Sequence, residues 1–215
     1  MKYKAVIFDL DGTLLDTIED LGTAVNFALE RRGFPLHSFA DYRQKVGHGI
    51  RNLVTVSLPF EKQSDEALID ECLADFREYY TGHIDVHTRP YPGMVELVAR
   101  LDAEGVKMAI ASNKFQAGTE TLVAEFFPGI QFVAVLGNRE GFPLKPDPEI
   151  VGEVLRKAGC SRSEAVMIGD SMTDMKTAEN GGIDAIAVSW GYRQMEGTPG
   201  ITVADSTSVL WQLLA

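Results

Sequence analysis

Short apolar runs, each followed by a helical pattern, recur along most of this 215-residue chain, and that alternation leaves few folds open. The strand candidates are Lys4–Phe8, Lys107–Ala111, Phe132–Leu136, Ala165–Ile168 and Ala185–Val188, with a short edge strand at Ile201–Val203. Helical stretches at Met94–Glu104, Ala117–Phe126, Pro148–Ala158 and Met172–Asn180 separate the later runs, and Ser206–Ala215 reads as a closing helix capped by Ser206 or Thr207. Strands joined by single helices pair in parallel through right-handed crossovers. The expectation is an α/β fold with a doubly wound, Rossmann-like parallel sheet.

Residues 17–88 break this rhythm. No comparable strand occurs there, and residues recur at helical spacing: Leu21, Val25, Ala28 and Leu29 on one face, and Leu68, Cys72, Asp75, Phe76 and Tyr79 in another stretch. The sequence therefore predicts a helical insertion, with residues 1–16 and 89–215 forming the α/β core and 17–88 a helical cap. Arg89-Pro90-Tyr91-Pro92-Gly93 marks the return, since two prolines and a glycine punctuate the chain before a new helix.

Composition excludes several classes. With 45% hydrophobic and 24% charged residues the chain is globular, and no apolar run approaches the roughly 20 residues that span a bilayer. A net charge of −11 opposes binding to nucleic acid or anionic membranes. Cys72 and Cys160 are far apart and lack metal-ligand spacing, as expected of ordinary thiols in a cytoplasmic protein.

The ends of the strands carry the chemistry. Ligands of open parallel sheets bind at the carboxyl ends of the strands, which converge in space. Asp9-Leu10-Asp11-Gly12-Thr13 follows the apolar run Ala5-Val6-Ile7-Phe8 and puts two carboxylates beside a glycine. Such neighbours repel unless a cation or a proton-transfer role compensates. Ser112-Asn113 follows the second core strand and offers a hydroxyl and backbone N–H groups to a phosphoryl oxygen. Lys145 lies in Leu144-Lys145-Pro146-Asp147-Pro148, placed to neutralise an anion just before a helix. Gly169-Asp170-Ser171-Met172-Thr173-Asp174 brings two more carboxylates, hard oxygen ligands of the kind Mg²⁺ favours. Asp174 alternatively favours the positive end of the following helix.

These motifs, in this order at four successive strand ends, resemble the haloacid dehalogenase superfamily, in particular its phosphatases with a helical cap inserted after the first strand. The resemblance covers essentially the whole chain. It implies that Asp9 attacks phosphorus, that Asp11 is general acid and then base, and that Asp9, Asp170 and the Asp11 carbonyl hold Mg²⁺. Asp174 would ligate through water or orient its neighbours, Lys145 would offset charge, and Ser112 with the backbone near Asn113 would hold the phosphoryl group. Thr13 would fix the loop or hydrogen-bond Asp11. A carboxylate two residues after the nucleophile speaks for phosphoryl chemistry over dehalogenation, and Leu21 stands where related phosphomutases carry a histidine.

Substrate choice is expected in Val46-Gly47-His48-Gly49-Ile50-Arg51, which resembles the cap loop of phosphoglycolate phosphatases. Gly47 and Gly49 would bring backbone N–H groups to an anionic substrate, His48 would sit beside them, and Arg51 would anchor a carboxylate. The expected partner is one small phosphorylated metabolite, with 2-phosphoglycolate ahead of pyrophosphate or a sugar phosphate, and the chain a monomer or homodimer. A non-enzymatic phosphoacceptor resembling a receiver domain is the competing class. The insertion and Asp11 both speak against it, because a carboxylate poised to activate water shortens the life of a stored phosphoaspartate.

Overall fold

A computed structural model describes all 215 residues. The elements run β1 (Ala5–Phe8), β2 (Leu15–Asp16), α1 (Ile18–Glu30), α2 (Phe39–Lys45), α3 (Ile50–Thr55), α4 (Glu66–Tyr80), β3 (Arg89–Pro90), α5 (Met94–Ala103), β4 (Lys107–Phe115), α6 (Gln116–Phe126), β5 (Phe132–Asn138), α7 (Glu149–Ala158), β6 (Ala165–Gly169), α8 (Met172–Gly181), β7 (Asp184–Val188), β8 (Val203–Ala204) and α9 (Thr207–Leu214). Six strands form one sheet in the order β5-β4-β1-β6-β7-β8, with every pairing parallel. This is the doubly wound architecture expected from the sequence.

β1 lies inside the sheet, with Ala5 beside Lys107 of β4 and Ala165 of β6. Its four residues are all apolar because both faces are covered. Val6 and Phe8 belong to the large core shared with α5, α9 and the inserted helices, whereas Ala5 and Ile7 pack with Ile150, Val151 and Val154 of α7. α9 begins where expected, with the Ser206 hydroxyl accepting from Val209 N. No helix is long and apolar enough to cross a membrane.

Residues 17–88 contain α1 to α4 and one 3-10 turn, with no strand. The two crossings into and out of this stretch meet in a ribbon that sequence periodicity did not reveal. There β2 pairs antiparallel with β3, Leu15 opposite Pro90 and Asp16 opposite Arg89. Two residues per strand are too few to register a period of two. Asp20, in the first turn of α1, secures the return crossing by accepting from His87 N, Thr88 N and the Thr88 hydroxyl at 2.8–3.0 Å.

β4 extends to Phe115 rather than ending at Ala111, with an irregular register between those residues. The irregularity lets Ser112, Asn113 and Lys114 stay against the strand while turning their polar groups to the site.

Candidate active site

Asp9 continues the ladder one residue beyond β1, its N–H donating to Ile168 O at 2.9 Å, and its carboxylate is buried. Lys145 Nζ sits between Asp9 Oδ1 at 2.9 Å and Asp174 Oδ1 at 2.7 Å. The lysine comes from the loop after β5, and Asn113 holds that loop in place. Asn113 Oδ1 accepts from Lys145 N at 2.8 Å, while its Nδ2 donates to Lys145 O at 3.1 Å and to Gly47 O at 3.0 Å. The Asn113 amide is thus committed to joining three segments, and the group it leaves for a substrate is backbone.

Asp174, the third residue of α8, closes a capping box with Ser171, its other oxygen accepting from Ser171 N and Oγ at 3.2 and 2.7 Å. It thus both braces the Ser171 cap and holds Lys145. Asp170 Oδ2 accepts from Tyr192 N at 2.6 Å. Two glycines fold backbone against this carboxylate: a Cβ on Gly12 would lie 2.3 Å from Asp170 Oδ2, and one on Gly191 would lie 2.3 Å from Asp170 Cβ. Gly12 also has φ +85°, so the turn after Asp11 requires glycine twice over.

Burial dominates the electrostatics. It pushes Asp9 well above the usual carboxylate range; Lys145 opposes the rise, and Asp174 and Asp170 reinforce it. Asp170 is pushed up to about 7 by burial and by Asp174, against the Tyr192 N–H. For Lys145, burial alone would favour the neutral amine, but Asp174 and Asp9 outweigh it and hold the ammonium. Carboxylate oxygens of Asp9, Asp170 and Asp174 lie within 4.8 Å of one another. Three buried carboxylates facing one ammonium leave an excess of negative charge, and the donors are hard oxygens, so the site fits a small divalent cation. Asp170 Oδ1 carries no hydrogen bond and is open to a cation, Asp9 Oδ2 is likewise free and open to a substrate, and both Asp174 oxygens are engaged.

The Asp11 side chain stands apart from that cluster. Its Oδ1 accepts from Thr17 Oγ1 at 2.7 Å and from Lys114 Nζ at 3.2 Å. Thr17 thereby makes the bond to Asp11 that was one of the two roles expected of Thr13. The tight turn from Leu10 to Leu15 rotates Thr13 into the interior, where its hydroxyl has no partner and its carbonyl accepts from Trp190 Nε1.

Asp9, Asp11, Ser112, Asn113, Lys145, Asp170 and Asp174 all line one cleft, and Gly47 and Gly49 reach it from the inserted stretch. His48 and Arg51 do not line it. Arg51 was expected to anchor a substrate carboxylate, but α3 carries it to the outside, where it pairs with Glu66 and, at 2.6 Å, with Asp70. Arg51 is the second residue of α3, little more than half a helical turn from Gly49 and so on the opposite side, and two acidic neighbours then hold it there. Lys114, Tyr192 and Arg193 also line the cleft; Lys114 and Tyr192 fall in stretches the sequence brings to strand ends, Tyr192 as a candidate pocket wall, whereas Arg193 was not anticipated. Lys114 directly follows Ser112-Asn113, and Tyr192 and Arg193 lie in the loop after β7. Arg193 spans from the core to the end of α2, donating to the carbonyls of Arg43, Gln44 and Val46.

A doubly wound sheet with an acidic cluster and a buried lysine at its carboxyl edge, and a helical insertion after its first strand, defines a class of α/β hydrolases. The chain belongs to one family of that class: residues 6–188 match the model of the haloacid dehalogenase-like hydrolases. It is 35% identical over 215 residues to the phosphoglycolate phosphatase of Mesorhizobium japonicum, covering 97% of this chain and 95% of the relative. The phosphoglycolate phosphatase of Caulobacter vibrioides is 34% identical over 194 residues, or 88% of this chain and 80% of that protein. A crystal structure from Lactobacillus delbrueckii subsp. bulgaricus, provisionally described as a phosphoglycolate phosphatase, superposes with a TM-score of 0.89 at 34% identity, covering 100% of this chain and 99% of that one.

Proposed function

We propose that the chain is a Mg²⁺-dependent phosphatase that hydrolyses a small phosphate monoester through an aspartyl-phosphate at Asp9, and that 2-phosphoglycolate is its substrate. The observation that carries this reading is Asp9 itself: one oxygen is held by Lys145, the other is without a bond, and Asp11 stands two residues away outside the acidic cluster. The relatives named above support the substrate.

In this reading the open oxygen of Asp9 bonds to phosphorus, the ester P–O bond breaks, and the departing oxygen takes a proton from Asp11. A water oxygen then bonds to phosphorus, its proton passes to Asp11, the bond to Asp9 breaks, and inorganic phosphate leaves. Ser112 Oγ and the backbone around Asn113 hold the phosphoryl oxygens, and Lys145 balances charge on Asp9 and the transferring group. Asp9 through the oxygen beside Lys145, Asp170 and the Asp11 carbonyl would hold the metal, with Asp174 fixing Lys145. Mg²⁺ bound there supplies charge neutralisation between the phosphoryl group and Asp9. Residues 17–88 act as a cap over the core formed by 1–16 and 89–215, and Gly47 and Gly49 present backbone to the leaving group.

Release of inorganic phosphate from a panel of metabolite phosphates, with and without Mg²⁺, tests the reading. Turnover that requires Mg²⁺, disappears in Asp9→Asn and ranks 2-phosphoglycolate first by kcat/KM is expected. A metal-replete protein without turnover would sink the phosphatase, and preference for pyrophosphate or a sugar phosphate would sink the substrate.

A further inference from the structure

Lys114 is a buried cation that the mechanism above does not use. It is 6% exposed, and its ammonium meets three groups: Asp11 Oδ1 at 3.2 Å, Tyr80 Oη at 2.6 Å, and the face of the Tyr80 ring at 4.8 Å from the centroid. Tyr80 is the last residue of α4, in the inserted stretch, whereas Asp11 and Lys114 lie in the core. The lysine therefore links an inserted helix to the carboxylate assigned to proton transfer. Tyr80 is itself fixed, stacked on Phe76 with centroids 4.9 Å apart and set edge-on to Phe115.

We infer that Lys114 is a positioning residue for Asp11 and that Tyr80 couples this positioning to the seating of α4. The inference rests on the phosphatase reading of the site. Its geometric basis is the asymmetry of Asp11. Both of its donors, the Thr17 hydroxyl and the Lys114 ammonium, go to Oδ1, and Oδ2 carries no hydrogen bond. A carboxylate pinned by two donors on one oxygen presents the other in a fixed direction, which is the geometry a proton donor to a leaving group needs. The two donors differ in origin. Thr17 is close in sequence and bonds Tyr192, so it belongs to the crossing and the core loop. Lys114 is 103 residues away from Asp11 and sits against α4. Only when α4 is seated does Lys114 have its phenol and ring to hold the ammonium against Asp11. Proton donation is thereby tied to closure over the site, where water is excluded.

The test separates loss of proton donation from general damage. Single-turnover transfer to Asp9 is measured by rapid quench across a series of substituted phenyl phosphates whose leaving phenols differ in basicity. A well-aimed Asp11 protects the basic leaving groups most, because a nitrophenolate departs readily without a proton. Lys114→Met is expected to slow transfer from unsubstituted phenyl phosphate at least about tenfold more than from nitrophenyl phosphate, within the contribution usual for general acids. Tyr80→Phe is expected to shift the ratio in the same direction by a smaller factor, and it retains the ring packing should the lysine variant not fold. Parallel losses across the series in Lys114→Met would overturn the positioning role, and an unchanged ratio in Tyr80→Phe would overturn the coupling to α4. Wild-type protein that takes phosphate from no member of the series would instead overturn the phosphatase reading itself.

Discussion

Asp174 accepts a 2.7 Å hydrogen bond from Lys145 through one carboxylate oxygen and holds Ser171 with the other, so one side chain sets both the start of α8 and the position of the buried ammonium. Asp174→Ala opens the capping box and leaves Lys145 with Asp9 alone. Lys145 keeps Asp9 and the remaining carboxylates are relieved of Asp174, so the loss is that of a helix cap, about 0.5–2 kcal/mol. Urea unfolding should show a decrease of that order. Asp174→Asn, which keeps an acceptor for Ser171, should lose less stability and still lose most phosphate release.

The raised carboxylates give the metal-free protein a defined pH dependence. A carboxyl group with a folded pKa above its unfolded value keeps its proton in the native state after the unfolded chain has released it, so stability falls as pH rises between the two values. For Asp170 that window runs from 3.8 to about 7, and Asp9 acts in the same direction. The Tm measured without metal should therefore decline from pH 5 to pH 7 through this contribution. Added Mg²⁺ competes with those protons and should raise Tm more at pH 8 than at pH 5. A Mg²⁺ effect independent of pH would contradict a site made of these carboxylates.

Arg51→Ala should be nearly silent. Its partners Glu66 and Asp70 are exposed, and surface pairs of this kind contribute about 0–1 kcal/mol. The ratio of kcat/KM for 2-phosphoglycolate to that for a neutral aryl phosphate should stay within about twofold of wild type, at the level of the weak surface effect. A selective loss on the carboxylate-bearing substrate would restore the role the sequence suggested.

Arg193→Ala should loosen the segment that carries Gly47 and Gly49. Its guanidinium covers the carbonyls of Arg43, Gln44 and Val46 at the end of α2, where a cation also meets the favourable end of the helix dipole. Faster hydrogen exchange confined to residues around 42–50, with an unchanged rate in β1 and β6, is the expected signature. Unaltered exchange there would show that α2 is held by its own contacts.

Much of the sheet was legible because parallel strands buried on both faces read as unbroken apolar runs. Ala5-Val6-Ile7-Phe8 and Ala165-Val166-Met167-Ile168 announce themselves, and the polar residues directly after them must lie at the carboxyl edge. Asp9 and Asp170 were therefore locatable at that edge from the chain itself, whereas Lys145 and Asp174 took their expected roles from the family resemblance. The β2–β3 ribbon was not, because its strands are too short for a period and their pairing joins residues 15–16 to 89–90.

The chain by itself determined the sheet, the insertion and the set of groups at the strand ends, because local apolar periodicity and chain order constrain these directly. Which oxygen faces which donor was decided only by tertiary structure. Thr17 rather than Thr13 holds Asp11, Arg51 turns outward to Glu66 and Asp70, and Lys114 finds Asp11 and Tyr80 across 103 and 34 residues. Those outcomes depend on turn geometry, on about half a helical turn of rotation and on a buried ammonium seeking partners, and none of these leaves a mark in local sequence pattern.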